Sequence, residues 1–470
     1  MGKMTAKDLA GETLLYGLAM IVSGLVQFAF LPFMSTFLSP EEAGILGVIR
    51  IISEVIAGVC VLGLPAAIIR AWHTTENHGA VLKRALLLPV LPIFLCAAAV
   101  FFFGGSLAET LKTGSPSLLF HALALGGGVA LLQIALSMPR AGGMAGTYFL
   151  IQFARGFFSL GILFLLLNRN GNALVSFLEA RWVPTIAAAV ITFILMRKIA
   201  GTASPEKGLT SGMLAFSLPL VPASLALLVL SSADMFMLRT ISSDMAQSGW
   251  YEWAGRAILV LTPLTLGFGM AWQRYIFRMK KQGGSMDDLG RNALLFMVTV
   301  TWAAMILAIL SCETVAVFGG GQWLPAAKVL PWLAGSAATY ALYTISQTAP
   351  LLTGQTGYIG WMTAFGAVLN IGFNFRLIPV AGAVGAAFAT LATNMFMAMS
   401  LFWLGRKVFP VSFMAVAVLV ICPVFAGFLA GLSDALRITA VLVITALTAV
   451  VIAALRSLGT SEMLRGVQNE

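Results

Sequence analysis

The sequence predicts an all-α polytopic membrane protein with about 14 transmembrane helices. Of its 470 residues, 59% are hydrophobic and only 10% are charged, whereas soluble domains carry about 25% charged residues. The mean hydropathy is +0.95. Apolar runs of about 20 residues, long enough to span a bilayer as a helix, recur along the whole chain. A membrane β-barrel would instead show alternating polar and apolar residues.

The apolar runs divide into fourteen predicted segments. The second has the clearest start, because Ser39 suits an N-cap, Pro40 suits the first helical position and Glu42 completes a capping box. The longest connectors are about 15 residues, too short for a soluble domain. The segments fall at 12–38, 41–69, 82–104, 116–138, 145–167, 173–196, 211–238, 248–273, 290–311, 325–351, 357–377, 382–405, 411–431 and 435–456.

Positive charge is concentrated in alternate connectors. Most of the 28 Lys and Arg residues fall in connectors on one side, which the positive-inside rule assigns to the cytoplasm. Both termini are then predicted to be cytoplasmic. The net charge of +10 therefore reflects orientation in a membrane, and no nucleic-acid partner is expected. The four cysteines show neither metal-ligand spacing nor a disulfide framework, so no metal or cofactor is expected.

Two Arg/Glu pairs inside apolar segments indicate an internal repeat. Arg50 and Glu54 lie four residues apart in the second segment, and Glu252 and Arg256 occupy the matching place in the eighth. A charge at membrane depth costs roughly 2.5–3.5 kcal/mol, so such residues usually face a cavity or a partner. Charges at corresponding points of two halves are typical of transporters built from parallel repeats.

The repeat predicts two lobes and an additional helical pair. Arg70 and Arg274 end the second and eighth segments, and six segments precede each second copy. The N-terminal lobe is predicted to cover 1–204 and the C-terminal lobe 205–408. Residues 409–470 would then form an extra helical pair and a cytoplasmic tail.

Four stretches of the chain carry a family resemblance. They read LSPEEAG at 38–44, followed by LGLPAAIIR at 62–70, SSAD at 231–234 and NIGFNFRLIP at 370–379. Together they resemble the polysaccharide biosynthesis (Wzx-type) flippases of the multidrug/oligosaccharidyl-lipid/polysaccharide exporter superfamily. Members often have Arg after the Asp of the SSAD motif, whereas this chain has Met235.

The resemblance implies two six-helix lobes around a central cavity that opens alternately to either side. It also implies a flippase, not an enzyme, that moves an undecaprenyl-pyrophosphate-linked oligosaccharide, such as an O-antigen unit for lipopolysaccharide, to the outer leaflet. The expected setting is a bacterial inner membrane, with membrane lipids and a polysaccharide polymerase as partners. Three alternatives stay open: a lipid II flippase, a cation-coupled drug antiporter of the same superfamily, and a membrane enzyme acting on lipid-linked sugars.

The candidate substrate-binding residues are the intramembrane arginines Arg50, Arg155, Arg181 and Arg256. Arginine stays charged when partly desolvated and binds phosphate through two parallel hydrogen bonds. These four side chains are therefore expected to form a cationic cavity for the pyrophosphate or for acidic sugars.

Carboxylates and further cations complete the predicted site. The charge partners or ion-coupling groups are Glu54, Glu179, Asp234 and Glu252, with a proton or sodium as alternative coupling ions. Arg70 and Arg274 are candidates for a cytoplasmic gate or a headgroup contact. A structural alternative stays open, since i,i+4 pairs can neutralise themselves. Likewise, Arg155 and Arg181 can extend towards the interface, and Asp234 can pair locally.

Overall fold

The structure is a computed structural model. It describes residues 6–468 apart from 170, 203–205, 219–220, 356 and much of 263–284 and 407–432. Within the described residues every regular element is a helix. Eight stretches there are helical, long and apolar enough to cross a membrane. The predicted fold class, an all-α polytopic membrane protein, is confirmed.

The chain separates into two compact units, Met1–Glu252 and Trp253–Glu470. The lobe boundaries expected from the repeat, near 204 and 408, stay predictions. The first unit contains ten complete helices among its described residues and most of an eleventh. They are α1 (Ala6–Phe37), α2 (Pro40–Val61), α3 (Leu64–Thr74), α4 (His78–Leu87), α5 (Val90–Thr110), α6 (Ser117–Ala141), α7 (Ala145–Leu167), α8 (Ala173–Ala200), α9 (Leu209–Ser217), α10 (Val221–Ile241) and α11 (Ala246–Ala257).

The second unit begins within the last turns of α11. A 3-10 turn follows at Ile258–Leu261, and another lies at Gly321–Trp323. The described α-helices of this unit are α12 (Met286–Ile309), α13 (Ser311–Phe318), α14 (Ala326–Ser346), α15 (Thr348–Thr353), α16 (Gly357–Gly405) and α17 (Asp434–Gln468).

The second predicted segment consists of two helices. The capping box at its start is confirmed, because Ser39 N donates to Glu42 Oε2 at 2.8 Å and Glu42 N donates to Ser39 Oγ at 3.3 Å. The break between α2 and α3 falls at Leu62 and Gly63, which have φ angles of 51° and 65°. This left-handed backbone ends α2, and α3 begins directly after it.

Glycines allow α6 to pack closely against its neighbours in the first unit. A Cβ at Gly126 would lie 2.5 Å from the Ser53 carbonyl oxygen on α2, and one at Gly128 would lie 2.8 Å from Ile186 on α8. Larger residues would therefore force the helices apart. The Gly-rich stretch 126–128 serves helix packing, and α6 lies between two helices that carry candidate site residues.

The 49 residues of α16 form two limbs that meet at Gly382. Gly382 has φ 54° and ψ −130°, outside the helical region. In a straight helix Leu377 and Gly385 would be about 12 Å apart, at 1.5 Å per residue. Instead, a Cβ at Gly385 would overlap the carbonyl oxygen of Leu377. The chain therefore doubles back here, and the two limbs correspond to the eleventh and twelfth predicted segments.

The C-terminal helix is anchored inside the second unit. Arg437 of α17 donates to Glu313 Oε1 of α13 through Nε at 3.1 Å and Nη2 at 2.9 Å. Trp302 of α12 donates to Thr445 of α17 at 3.2 Å. Much of the thirteenth predicted segment, 411–431, lies outside the described residues.

Candidate functional site

A cavity of about 330 Å³ lies inside the first unit. Helices α1, α2, α6, α7 and α8 line it, and three of the four intramembrane arginines, Arg50, Arg155 and Arg181, are among the lining residues. The structure thus brings together residues that are more than a hundred positions apart in sequence. Arg256 belongs to the second unit, where its side chain is buried.

Helical spacing explains how single helices contribute to this cavity. Residues three or four positions apart lie on one face of a helix. The lining residues follow this rule on α1 (Val26, Gln27, Phe30), α2 (Arg50, Ser53, Glu54), α7 (Arg155, Gly156, Ser159) and α8 (Arg181, Thr185). Each of these helices therefore presents one face to the cavity, and that face carries the polar lining residues.

Arg50 makes ion pairs with two carboxylates. Its Nη1 lies 2.7 Å from Glu54 Oε1, one turn along α2, and its Nη2 lies 3.3 Å from Glu252 Oε2 on α11. The Glu252 side chain is 4% exposed, whereas that of Glu54 is 39% exposed. The i,i+4 pair expected from the sequence is present, and the second ion pair was not foreseen.

Arg155 and Arg181 donate hydrogen bonds to neutral amides. Arg155 Nε lies 3.1 Å from Gln152 Oε1, and Arg181 Nη2 lies 3.2 Å from Gln27 Oε1. The described lining residues thus supply three guanidinium groups and one carboxylate, that of Glu54. Charges interact more strongly in such a partly dry site than in water. The arrangement suits an anionic group that can accept several charge-assisted hydrogen bonds.

The other predicted carboxylates lie in different settings. Asp234 is buried and accepts a hydrogen bond from the Tyr251 hydroxyl at 2.8 Å. Ser232 donates to Glu54 Oε2 at 3.5 Å, which places α10 beside the Arg50 ion pairs. Glu179 is partly buried on α8 and is not among the described residues that line the cavity.

Of the two candidate gate arginines, Arg70 and Arg274, only Arg70 lies among the described residues. Arg70, at the exposed surface of α3, lies 4.8 Å above the ring of Phe216. It lines a separate cavity of about 360 Å³ together with Lys207. Arg274 lies outside the described residues.

Two kinds of residue near the site were missed by sequence reasoning. Gln27, Gln133 and Gln152 line the cavities of the first unit, and their only signal was an amide within an apolar run. Arg239 was counted with the connectors, yet its side chain is buried. Among the described residues, no group of three or more His, Cys, Asp or Glu side chains could hold a metal ion.

The chain shares its fold with solved membrane transporters. It matches the lipid II flippase MurJ in an inward closed conformation with a TM-score of 0.71 and 13% identity, over 96% of this chain and 99% of that one. An inward-facing MATE transporter of the MOP superfamily matches with a TM-score of 0.61 and 15% identity, over 89% and 96%. A mutant of the Vibrio cholerae MATE transporter VcmN matches with a TM-score of 0.57 and 16% identity, over 86% and 96%.

No protein-family profile and no curated protein matches the chain in sequence. The identities to solved structures are low, so these matches establish the fold. The protein is a multi-pass membrane protein with the fold of transporters and flippases of the MOP superfamily. This is the fold that the resemblance of the sequence motifs implied.

Proposed function

We propose that the protein is a flippase for a lipid-linked oligosaccharide, which it moves from the cytoplasmic to the outer leaflet by alternating access. The observation that carries this proposal is the convergence of Arg50, Arg155 and Arg181 on one cavity between membrane-spanning helices. A polyprenyl-pyrophosphate headgroup is strongly anionic, and its passage through a low-dielectric layer requires fixed cations.

Different arginines take different roles in this proposal. Arg155 and Arg181 bind the pyrophosphate, since the planar guanidinium matches phosphate oxygens and keeps its charge when desolvated. Arg50 contributes positive charge that Glu54 and Glu252 moderate. Arg256 supplies the corresponding cation in the second unit.

The polar residues outside this cavity have secondary roles in the proposal. Glu179 is a further charge partner, and Asp234 takes part in ion coupling with a proton or sodium. Arg70 and Arg274 contact headgroups at the cytoplasmic entrance. The polyprenyl tail stays in the surrounding lipid during transfer, in a bacterial inner membrane where both termini are cytoplasmic and a polysaccharide polymerase uses the product.

The substrate class rests on shared chemistry. An undecaprenyl-pyrophosphate carrying an O-antigen-type unit and lipid II both present a pyrophosphate joined to a sugar. The motifs at 38–44 and 370–379 favour the former, whereas the structural likeness to MurJ favours the latter. We place the O-antigen-type substrate first, because the motifs are properties of this chain's own sequence.

A cation-coupled antiporter is the second candidate. Asp234 is a buried carboxylate on α10, and a buried acid is what coupling to a cation or binding of a cationic drug requires. The likeness to MATE transporters supports the same reading. The three arginines of the cavity disfavour it, since a cationic drug would be repelled there.

Translocation in proteoliposomes tests the proposal. A fluorescent undecaprenyl-pyrophosphate-linked oligosaccharide and fluorescent lipid II would be compared for the wild type, Arg155→Ala, Arg181→Ala and the matched control Arg169→Ala, an exposed arginine after α7. We expect wild-type transfer, loss in both cavity variants and retention in the control. Wild-type inactivity on both lipids, with cation-driven drug efflux in the same vesicles, would replace the flippase by the antiporter.

A further inference from the structure

We propose that a second chamber beside the cationic cavity binds the sugar that is attached to the pyrophosphate; this inference rests on the proposed function. The chamber has a volume of about 270 Å³ and lies between α3, α6 and α7 in the first unit. Its polar lining consists of Gln133, Arg140, Tyr148, Gln152 and Arg155.

The two chambers share part of their walls. Val129, Gln133 and Arg155 line both of them. Gln152 accepts the hydrogen bond from Arg155 Nε, which orients the guanidinium and does not occupy its terminal nitrogens. An anion held by Arg155 in the first chamber therefore has its next chemical group at the entrance to the second.

The lining of the second chamber suits a neutral polyhydroxyl group. A glutamine amide both donates and accepts hydrogen bonds, as sugar hydroxyl and acetamido groups do. Gln133, Tyr148 and Gln152 supply two amides and a phenol, and the tyrosine ring adds an apolar face for a sugar ring. Arg140, exposed at the end of α6, is the only charged lining residue besides Arg155 among those described.

Among the residues that line this chamber, Gln133 gives the clearest indication of a bound ligand. It is exposed within a membrane-spanning helix, two turns before the end of α6, although its neighbours Leu132 and Ile134 are buried. Among the described residues its amide makes no side-chain hydrogen bond. A polar side chain at membrane depth is costly unless a cavity or a partner satisfies it. The geometry thus points to a ligand that reaches the amide from within the chambers.

The order of residues along α7 places the chamber relative to the anion site. Tyr148, Gln152 and Arg155 occupy its first three turns, and the rise from Tyr148 to Arg155 is about 10 Å. Because α7 follows directly after α6, its start lies at the end of the helix that carries Arg140. In the predicted orientation this is the cytoplasmic end, so the sugar lies on the cytoplasmic side of the pyrophosphate.

Binding of two probes to the purified protein separates this inference from the proposed function. The probes are undecaprenyl-pyrophosphate without sugar and the same lipid carrying an N-acetylated sugar. For Gln133→Leu and Tyr148→Phe we expect about tenfold weaker binding of the sugar-bearing lipid, equivalent to about 1.4 kcal/mol. Binding of the sugar-free lipid is expected to be unchanged in Tyr148→Phe and to weaken less than that of the sugar-bearing lipid in Gln133→Leu, because Gln133 lines both chambers. Arg155→Ala is expected to weaken binding of both.

Tyr358→Phe provides the matched control. Tyr358 opens α16 at the repeat position of Tyr148, is exposed and lines neither chamber, so loss of its hydroxyl is expected to change neither affinity. Equal affinity of the wild type for both probes, or an equal loss for both in Gln133→Leu, would overturn the sugar chamber and leave the flippase standing. Failure of the wild type to bind either probe would overturn both.

Discussion

Arg50 Nη2 lies 3.3 Å from Glu252 Oε2, although 202 residues separate the two along the chain. The sequence predicts that each belongs to an i,i+4 Arg/Glu pair of a different repeat, and both lie in the first unit. The contact joins α2 to α11. Arg50 pairs with carboxylates of both helices, Glu54 and Glu252, so the ion pairs act as one small network.

Removal of Arg50 is expected to destabilise the protein more than removal of the whole ion pair. Arg50→Ala removes one cationic partner from the 4% exposed Glu252 carboxylate, at a cost of roughly 1.5–3 kcal/mol for a hydrogen bond between charged groups. Arg50→Ala/Glu252→Gln replaces that buried charge by a neutral amide and is expected to recover much of the loss. Thermal unfolding of the detergent-solubilised variants measures the difference.

Glu54→Gln is the control for this comparison. The Glu54 side chain is 39% exposed to the cavity, so its loss is expected to shift the unfolding temperature less than that of Arg50. An unfolding temperature of Arg50→Ala equal to that of the wild type would contradict the network.

Alanine at Gly249 or Gly44 is expected to separate α2 from α11. A Cβ at Gly249 would overlap the Pro40 carbonyl oxygen, and one at Gly44 would overlap Ser248 Oγ. Overpacking of this kind costs about 1–3 kcal/mol. Gly249→Ala is expected to lower stability more than Gly44→Ala, because its new β-carbon meets a backbone carbonyl, whereas that of Gly44→Ala meets a hydroxyl that can rotate away. Unfolding temperatures give the ranking.

Gly161→Ala on α7 makes the matched glycine control. A Cβ there meets no described atom within 4 Å, so the substitution is expected to be neutral or slightly stabilising, since alanine favours a helix over glycine by about 1 kcal/mol. Equal unfolding temperatures for Gly44→Ala, Gly249→Ala and Gly161→Ala would show that Gly44 and Gly249 are not required for the close contact between α2 and α11.

Lysine cannot replace Arg239. The buried guanidinium donates to the carbonyl oxygens of Leu111, Lys112 and Met245 and to Ser248 Oγ, and so ties the end of α10 to the end of α5 and the start of α11. A lysine has fewer donors and lacks the planar fork. Arg239→Lys is expected to lower the free energy of unfolding by about 2 kcal/mol, as denaturation of the purified protein would show.

The exposed Arg376 on α16 offers a matched arginine. Arg376→Lys is expected to change stability by no more than about 0.5 kcal/mol, as for most surface substitutions. Equal effects at the two positions would mean that the bonds of Arg239 add nothing to stability.

The geometry of Arg155, and not only its charge, is expected to matter for anion binding. Arg155→Gln is expected to weaken binding of undecaprenyl-pyrophosphate at least tenfold, because a charge-assisted hydrogen bond contributes about 1.5–3 kcal/mol. Arg155→Lys keeps the charge but loses the two parallel donors, so an intermediate affinity is expected. Dissociation constants at low and high salt would separate the two contributions; full binding by Arg155→Gln would exclude this residue from the anion site.

Much of the fold follows from the sequence because the length of apolar runs is set by the membrane. The capping box at Ser39 marked the start of α2 correctly, since its hydrogen bonds are local. The breaks at Leu62–Gly63 and at Leu88–Pro89 were not foreseen. Both lie inside continuous apolar stretches, where a break between two helices leaves little trace in composition.

The candidate site was foreseen less completely. An arginine in an apolar segment is conspicuous, so Arg50, Arg155 and Arg181 could be selected by type alone. Their partners could not, because the Arg50–Glu252 contact depends on how distant helices pack. Arg239 was misplaced for a related reason, since counting charges along a chain does not reveal which are buried. Gln133 was overlooked because neutral amides often serve only helix–helix contacts.

The turn at Gly382 determines on which side of the membrane α16 ends. Without it, the 49 residues of α16 would form a rod of about 74 Å, more than twice the roughly 30 Å hydrocarbon layer. With it, the chain returns towards the side of the membrane on which α16 began, so α16 ends on the opposite side from the one that a single crossing would reach. Because Gly382 has no β-carbon, its backbone can adopt a φ angle of 54°, and one long helical stretch thereby makes two crossings instead of one.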